Sequence, residues 1–585
     1  MVTNKYITRI ASVIMAAAVI LCLMASLFSD KLQEVYGNNA VTMKYESKLF
    51  NTDQIMDIDI LMDEDDWNNM LENAISEEYY SCNVVVNGKT FYSVGIRPKG
   101  NTSLSSIAND PDTDRYSFKL EFDHYIEGQT CYGLDKLILN NNYADATNMK
   151  EAIVYDMYQY LGVDASLYNY AKISVNGDYR GVYLALEAVE DSFMLRNYGT
   201  EDGNLYKPES MGIGGGVDGN GFPQKGEMPD GEDFPQKGEM PDGADFPQKG
   251  EMPDGEDFPQ KGEMPDGEDF PQMGEAPNGE AADIKMGIMG GNGGADLNYT
   301  DDDLDSYSTI WDGEITDSDK KDHKRVVEAL KNISEGTDLE TYMDVDNILK
   351  YMAVHTFVVN DDSLSGTMAH NYYLYEYNGK LNILPWDYNL SFGGMSMGGG
   401  MGGQSSGATS VINDAIDTPF SITSFFDALL ENEEYLEQYH EYLNELVEKY
   451  VNGGEFEKTY ERIRSQIDDL VGNDPTAFYS YEEYEEAANM LIEVVQLRVK
   501  SVSGQLAGTI PSTDEGQQQD SSNLIDGSDI DLSVMGSFSG GGGGNEGQGK
   551  DNGFAGTPQP FDAGDVSPIS EEKADLQDSN QDSVK

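Results

Sequence analysis

The sequence predicts an α+β protein of two lobes, and three observations predict it. Strand-type alternation and Asn-Gly turns crowd residues 42 to 207, helical periodicity fills residues 301 to 504, and a short repeat without apolar periodicity separates them. A strand-rich half and a helix-rich half joined through a tolerated insertion suggest two lobes with a cleft between them.

The first element is apolar. In "NKYITRIASVIMAAAVILCLMASLFSD", Lys5 and Arg9 precede an uncharged run from Ile10 to Ser29. That run approaches the ~20 residues that span a bilayer, so residues 1–29 read as a signal anchor or a long signal peptide, and either exports the rest. The length of the run and the lack of an Ala-x-Ala site favour an uncleaved anchor, hence a membrane contact through the N-terminal helix. Cys22 lies inside the run as an apolar residue. Cys82 and Cys131 either pair in the oxidising exterior or stay as isolated core thiols.

Residues 42–207 form the strand-rich lobe. "VTMKYESKLF" is strand-like, and "CNVVVNGKTFYSVGIRPKG" reads as a hairpin turning at Asn87-Gly88. "RYSFKLEFDH" alternates cleanly and "DKLILNNNY" is a further strand. Asp145 or Thr147 then caps a helix, "NMKEAIVYDMYQYLG", that stops at Gly162. A hairpin with another Asn-Gly turn follows in "AKISVNGDYRGVYLALEAV".

Residues 208–300 carry a 12-residue repeat, "FPQKGEMPDGED", marked by Phe222, Phe234, Phe246, Phe258 and Phe270. One Lys against four acids per unit, with no apolar periodicity, predicts a solvated, disordered insertion.

Residues 301–504 form the helical lobe. "SDKKDHKRVVEALKNISEG" and "DVDNILKYMAVHTFVV" are helices. "NYYLYEYNGKLNILPWDYNLSFGG" is a hairpin turning at Asn378-Gly379, and three acidic amphipathic helices follow a Met- and Gly-rich loop. Residues 505–585 are polar, acidic and Gly-rich, and predict a disordered tail.

Asp and Glu number 106 against 37 Lys and Arg, a formal charge of −69. Such an excess repels phosphate backbones and disfavours nucleic acid, while basic proteins and divalent cations suit it. The five histidines show no zinc-type spacing, so oxygen-ligand metal chemistry fits better. The hairpin returns Asp387 toward the loop holding Asp361 and Asp362, with Asn371 opening its first strand. Asp387 needs a partner, because an isolated buried carboxylate is costly. These acids would otherwise cap turns.

In "GIRPKGNTS", Gly100, Asn101, Thr102 and Ser103 form a turn suited to covering phosphates. Lys119 shares a strand face with Ser117 and Glu121; by pattern it is solvated, and in a cleft it would face a phosphate. Glu151, early in its helix, either pairs with Lys119 or serves the helix dipole.

The order of "GIRPKGNTS", "SFKLEFD", "NGDYRGVYLALEAVEDSFMLRNYG", "GNLYKPE", "NDDSLSGTMAHNYYLY" and "LPWDYNLSFGG" resembles the CotH family of spore-coat proteins, atypical secretory protein kinases, over residues 42–207 and 301–504. The resemblance implies a two-lobed kinase-like fold that binds ATP with Mg²⁺ or Mn²⁺. It implies Asp387 and Asn371 as metal ligands, Asp362 as the catalytic acid and Lys119 as the phosphate-gripping lysine paired with Glu151, with Glu187 near the interlobe hinge. Basic, Ser-rich protein substrates at the cell or spore surface follow from it. The sequence departs from ordinary kinases where Tyr388-Asn389 follows Asp387 and where no His-Arg precedes Asp362. Asp361 stands where relatives carry Trp, which leaves both acids as candidates. The rival readings are a non-catalytic coat or surface scaffold and a carbohydrate-active enzyme with paired carboxylates.

Overall fold

The computed structural model of the chain describes residues 40–208, 294–395 and 407–536. Its first half is organised by Asn-Gly turns. Asn87-Gly88 joins β2 (Tyr80–Val86) to β3 (Lys89–Lys99), and Asn176-Gly177 joins β6 (Tyr168–Val175) to β7 (Asp178–Glu187). All four turn residues take φ between 48 and 88°, the left-handed pair that matches strand twist.

With β1 (Met56–Leu61), β4 (Ser117–Glu121) and β5 (Lys136–Asn140), these strands close a seven-stranded barrel in the order β1-β2-β3-β4-β5-β7-β6. The parallel pairing of β1 with β6 seals it, and every other pair is antiparallel. Alternate residues fill the interior, among them Ile58, Ile60, Val84, Ile96, Phe118, Leu120, Leu137 and Leu139. Residues between them face outward, and on β3 and β4 this sets Lys99 opposite Ser117 and Arg97 opposite Lys119.

Helix α1 (Glu64–Glu72) and the short α2 (Thr102–Ala108) lie on the barrel's connections. α3 (Lys150–Leu161) is buried nearly all round, because it is sandwiched between the outer face of β5, β6 and β7 and the helical half. Both expected caps act at its start: Asp145 Oδ2 and Thr147 Oγ1 accept from the Lys150 amide, and Gly162 ends it in the left-handed region. After α4 (Asp191–Tyr198), β8 (Asn204–Tyr206) adds to the hairpin of β9 (Tyr372–Tyr377) and β10 (Lys380–Pro385) as a three-stranded sheet. Around it pack α5 (Lys320–Ser334), α6 (Val345–Val358), α7 (Glu433–Glu445), α8 (Glu455–Gly472) and α9 (Tyr481–Leu506), with one apolar core running from α3 to α9.

The two halves are latched. Arg115, 2% exposed, donates to the Asp474 carboxylate at 2.8 and 3.0 Å and to the carbonyls of Asn141 and Val182, tying the barrel to the loop between α8 and α9.

Two expectations are corrected. "VTMKYESKLF" is no strand: Lys44–Lys48 is a helical turn, capped where the Met43 amide meets Glu46, with Tyr45 buried against Glu187 and the Ser192 carbonyl. Residues 505–536, expected in the tail, are packed. They include a helical turn at Asp514–Gln519 capped by Thr513, and Met535 is 1% exposed.

The apolar run at residues 1–29, the repeats from 209 to 293 and the tail beyond 536 lie outside the described residues. Among the described residues, no helix is long and apolar enough to cross a membrane. Cys82 and Cys131 are free, buried thiols, each pushed up to about 12 by burial.

Candidate active site

A cleft of about 330 Å³ lies where the ends of β3 and β5 meet the β9–β10 hairpin. The barrel contributes Arg97, Lys99, Gly100 to Ser103 and Asn140 to Ala144. The helical half contributes Asp362, His370, Asn371, Trp386 and Asp387, and Glu151 and Lys207 also line it.

Lys99 is the last residue of β3. Its Nζ donates to Asn140 Oδ1 at 3.2 Å and lies 5.5 Å from the centre of the Trp386 ring. Asn140 Nδ2 in turn donates to Glu151 Oε2 at 2.9 Å, so lysine, amide and glutamate form one chain across the floor. Burial pushes the Lys99 ammonium down, and the Asp387 charge pulls it back up. Burial, and next the Asp387 charge, push the Glu151 carboxyl well above the usual range; Asn140 and Lys99 oppose this.

Asp387 follows β10 by two residues, and Pro385 ends the ladder before it. It sits at φ 61°, and Asn371, Ala369, Asn142 and Ala144 at the cleft also hold φ between 45 and 59°. Such a cluster of non-glycine residues in the left-handed region costs on the order of 1 kcal/mol each and gathers at functional sites. Burial raises the Asp387 carboxyl; Lys99 and Lys207 oppose this, and the Asp362 charge adds to it.

Asp362 is held by two neighbouring side chains. His370 Nε2 is 2.7 Å from its Oδ1, and Asn371 Nδ2 donates to its Oδ2 at 3.0 Å and to its carbonyl at 2.8 Å. Asp361 is exposed and is not among the cleft-lining residues. Beneath the loop, His355 at the end of α6 contacts Ser365 Oγ at 2.8 Å and Tyr388 Oη at 3.0 Å, joining the Asp362 loop to the Asp387 turn. Burial drops the His355 imidazole to about 3, so it stays neutral there.

The structure therefore brings Asp362, Asn371, Asp387, Glu151 and the Gly100–Ser103 segment together, and it leaves Lys119 out. Lys119 lies one strand repeat beyond Ser117, outside the cleft lining, where it and Lys136 are both bound by Glu190. The pairing expected between Lys119 and Glu151 is corrected: Glu151 accepts from Asn140, which Lys99, a lysine of the cleft lining, also contacts. Glu187, expected near the interlobe hinge, is buried on Arg196 and Tyr45. Sequence reasoning also missed Lys207 and His370. The alternation of Arg97 and Lys99 in "GIRPKG" was the available signal for Lys99, while only the fold could reveal His370.

The donor set fits a hard divalent cation. Two carboxylates and the Asn371 amide oxygen are all oxygen ligands. Among the described residues no hydrogen-bond donor reaches the Asp387 carboxylate, and no group of three or more His, Cys, Asp or Glu is arranged to hold a metal alone. Further ligands would have to come from a phosphate-bearing partner and water.

A search of curated proteins finds no match. Residues 96–502, which span the end of β3, both catalytic-candidate loops and most of α9, match the family described as CotH kinase protein. With well over half of its length inside that match, the chain belongs to the CotH family.

Proposed function

We propose that the protein is an extracytoplasmic, ATP-dependent protein kinase with a two-lobed kinase-like arrangement, in which the barrel covers the nucleotide and the helical half presents the reacting groups. The observation that carries this is the meeting of Lys99 and the Gly100–Ser103 segment with Asp362, Asn371 and Asp387 in one cleft. Lys99, with Lys207 beside it, grips the nucleotide phosphates. Asp387 and the Asn371 amide oxygen hold Mg²⁺ or Mn²⁺, which neutralises phosphate charge when bound. Asp362, fixed by His370 and Asn371, orients the acceptor hydroxyl and takes its proton. The bond from the acceptor oxygen to the γ-phosphorus forms as the bond to the β-phosphate oxygen breaks and ADP leaves.

Little covalent chemistry is asked of the protein, so positioning and charge suffice. The acidity of the chain suits Ser- and Thr-bearing substrates that are basic, such as proteins of a cell or spore surface, reached from an N-terminal membrane helix. Incubating the protein with γ-labelled ATP, Mn²⁺ or Mg²⁺ and a Lys- and Ser-rich peptide tests the reading. Label on peptide serine is expected; its absence from peptide and protein alike would leave a binding scaffold, and glycan binding without nucleotide binding would favour the carbohydrate reading.

A further inference from the structure

The family match ends at residue 502, yet the packed chain continues to Gly536. That extension is anchored at one end. Asn413 Nδ2 donates to the Ile525 carbonyl at 2.8 Å and its Oδ1 accepts from the Ile525 amide at 2.9 Å, while the Gly527 amide donates to Thr409 Oγ1 at 3.0 Å. From there it passes Gly393, six residues beyond Asp387, where Leu532 Cδ1 lies 3.0 Å from where a Cβ would stand. Its last described residues lie against the cleft wall, with the Ala146 amide donating to the Met535 carbonyl at 3.1 Å.

That wall serves the site twice. Asn140 to Ala144 line the cleft, and Asp145 and Thr147 cap the helix that carries Glu151. Asn389, just after Asp387, also donates to the Tyr143 carbonyl at 2.8 Å. Gly536 sits at φ 83°, and a Cβ there would lie 2.5 Å from the Ala144 carbonyl oxygen and 2.8 Å from the Ala146 nitrogen. Only glycine permits so close an approach of two backbones.

We propose that residues 525–536 form a positioning strap, added to the family core, that clamps the Asn140–Ala146 wall against the Asp387 turn and so sets the width of the nucleotide cleft. Its catalytic part rests on the kinase reading. The strap acts through Met535 and Gly536, which touch no reacting group themselves. A shift of about 1 Å in such a wall is enough to misplace Lys99's partner Asn140 and Glu151.

The test compares Gly536→Ala with Gly453→Ala in the full chain. A Cβ at Gly453 would crowd the Lys449 carbonyl, a backbone clash outside both the strap and the cleft lining. Amide exchange over residues 140–149, the melting temperature, and KM and kcat for ATP with Mn²⁺ are measured for both. Gly536→Ala is expected to speed exchange at Ala146 by roughly tenfold and raise the KM for ATP by about five- to tenfold. Gly453→Ala is expected to lower the melting temperature while leaving KM within about twofold. Unchanged KM in Gly536→Ala, or equal KM changes in both, overturns the proposal. If the wild type transfers no phosphate, the kinase reading fails, and exchange alone decides the strap: faster exchange in Gly536→Ala alone supports it, and unchanged exchange overturns it.

Discussion

Lys99 and Lys119 stand on neighbouring strands with their side chains on the same outer face, and their neighbours separate them. Glu190 holds Lys119 together with Lys136, so removing Lys119 changes a salt-bridged cluster outside the cleft lining. Lys99 shares the floor of the cleft with Asp387, Asn140 and Glu151. Lys99→Met should therefore lower phosphate transfer by roughly a hundredfold, while Lys119→Met should stay within about threefold, as initial rates with labelled ATP will tell. A second residue-scale expectation concerns stability. Burial, with the charges of Asp361 and Asp514, pushes Asp414 up to about 7 against the pull of Arg498. An unfolded Asp titrates near ~3.9, so the folded state keeps the proton longer and stability falls as pH rises from about 4 to 7. Asp414→Asn should flatten that fall, by on the order of 2 kcal/mol between pH 5 and 8 in urea melts. At this scale local loop and hairpin signals pointed to Asp362, Asn371 and Asp387, and all three line the cleft. The sequence concealed the lysine, because two lysines on alternating strand positions look alike until a third element, Glu190, selects between them.

Elements joined by short turns were legible. Three Asn-Gly hairpins, the α3 caps and the helices around Asp387 follow from local chemistry, and each stands where its pattern puts it. What local chemistry could not supply was closure: nothing in "MDIDIL" announces a parallel pairing with β6 more than a hundred residues on, and that pairing makes the barrel. The helical turn at Lys44–Lys48 escaped for the same reason, since Tyr45 is drawn into a site built by Glu187 and Arg196. The latch between the halves is likewise non-local. Asp474→Ala would strand the Arg115 guanidinium, 2% exposed, without its carboxylate and should cost about 3 to 5 kcal/mol in denaturant unfolding. Asp302→Ala, which breaks the exposed pair with Lys331, should shift the denaturant midpoint far less than Asp474→Ala.

At the scale of the molecule, the formal charge of −69 is set against a site proposed to bind a polyanion. Lys99, Lys207 and Arg97 line the cleft and bring positive charge there, and a bound metal would supply the rest. The sequence placed the end of the fold near residue 504 because Gly and polar residues take over there. The structure carries the packed chain well past that point, through contacts of residues 525–535 with Asn413, Thr409 and Ala146 that no local pattern encodes. Truncation after Leu506 should accordingly lower the melting temperature by more than about 5 °C. The central claim is that Asp387 carries the metal for phosphoryl transfer in this cleft. Its most direct measurement is the initial rate of label transfer from γ-labelled ATP to a basic Ser-containing peptide with Mn²⁺, for the wild type and for Asp387→Ala. Transfer by the wild type and a loss of at least roughly a hundredfold in the variant is the predicted result. Transfer undiminished by Asp387→Ala, or none by the wild type, would contradict it.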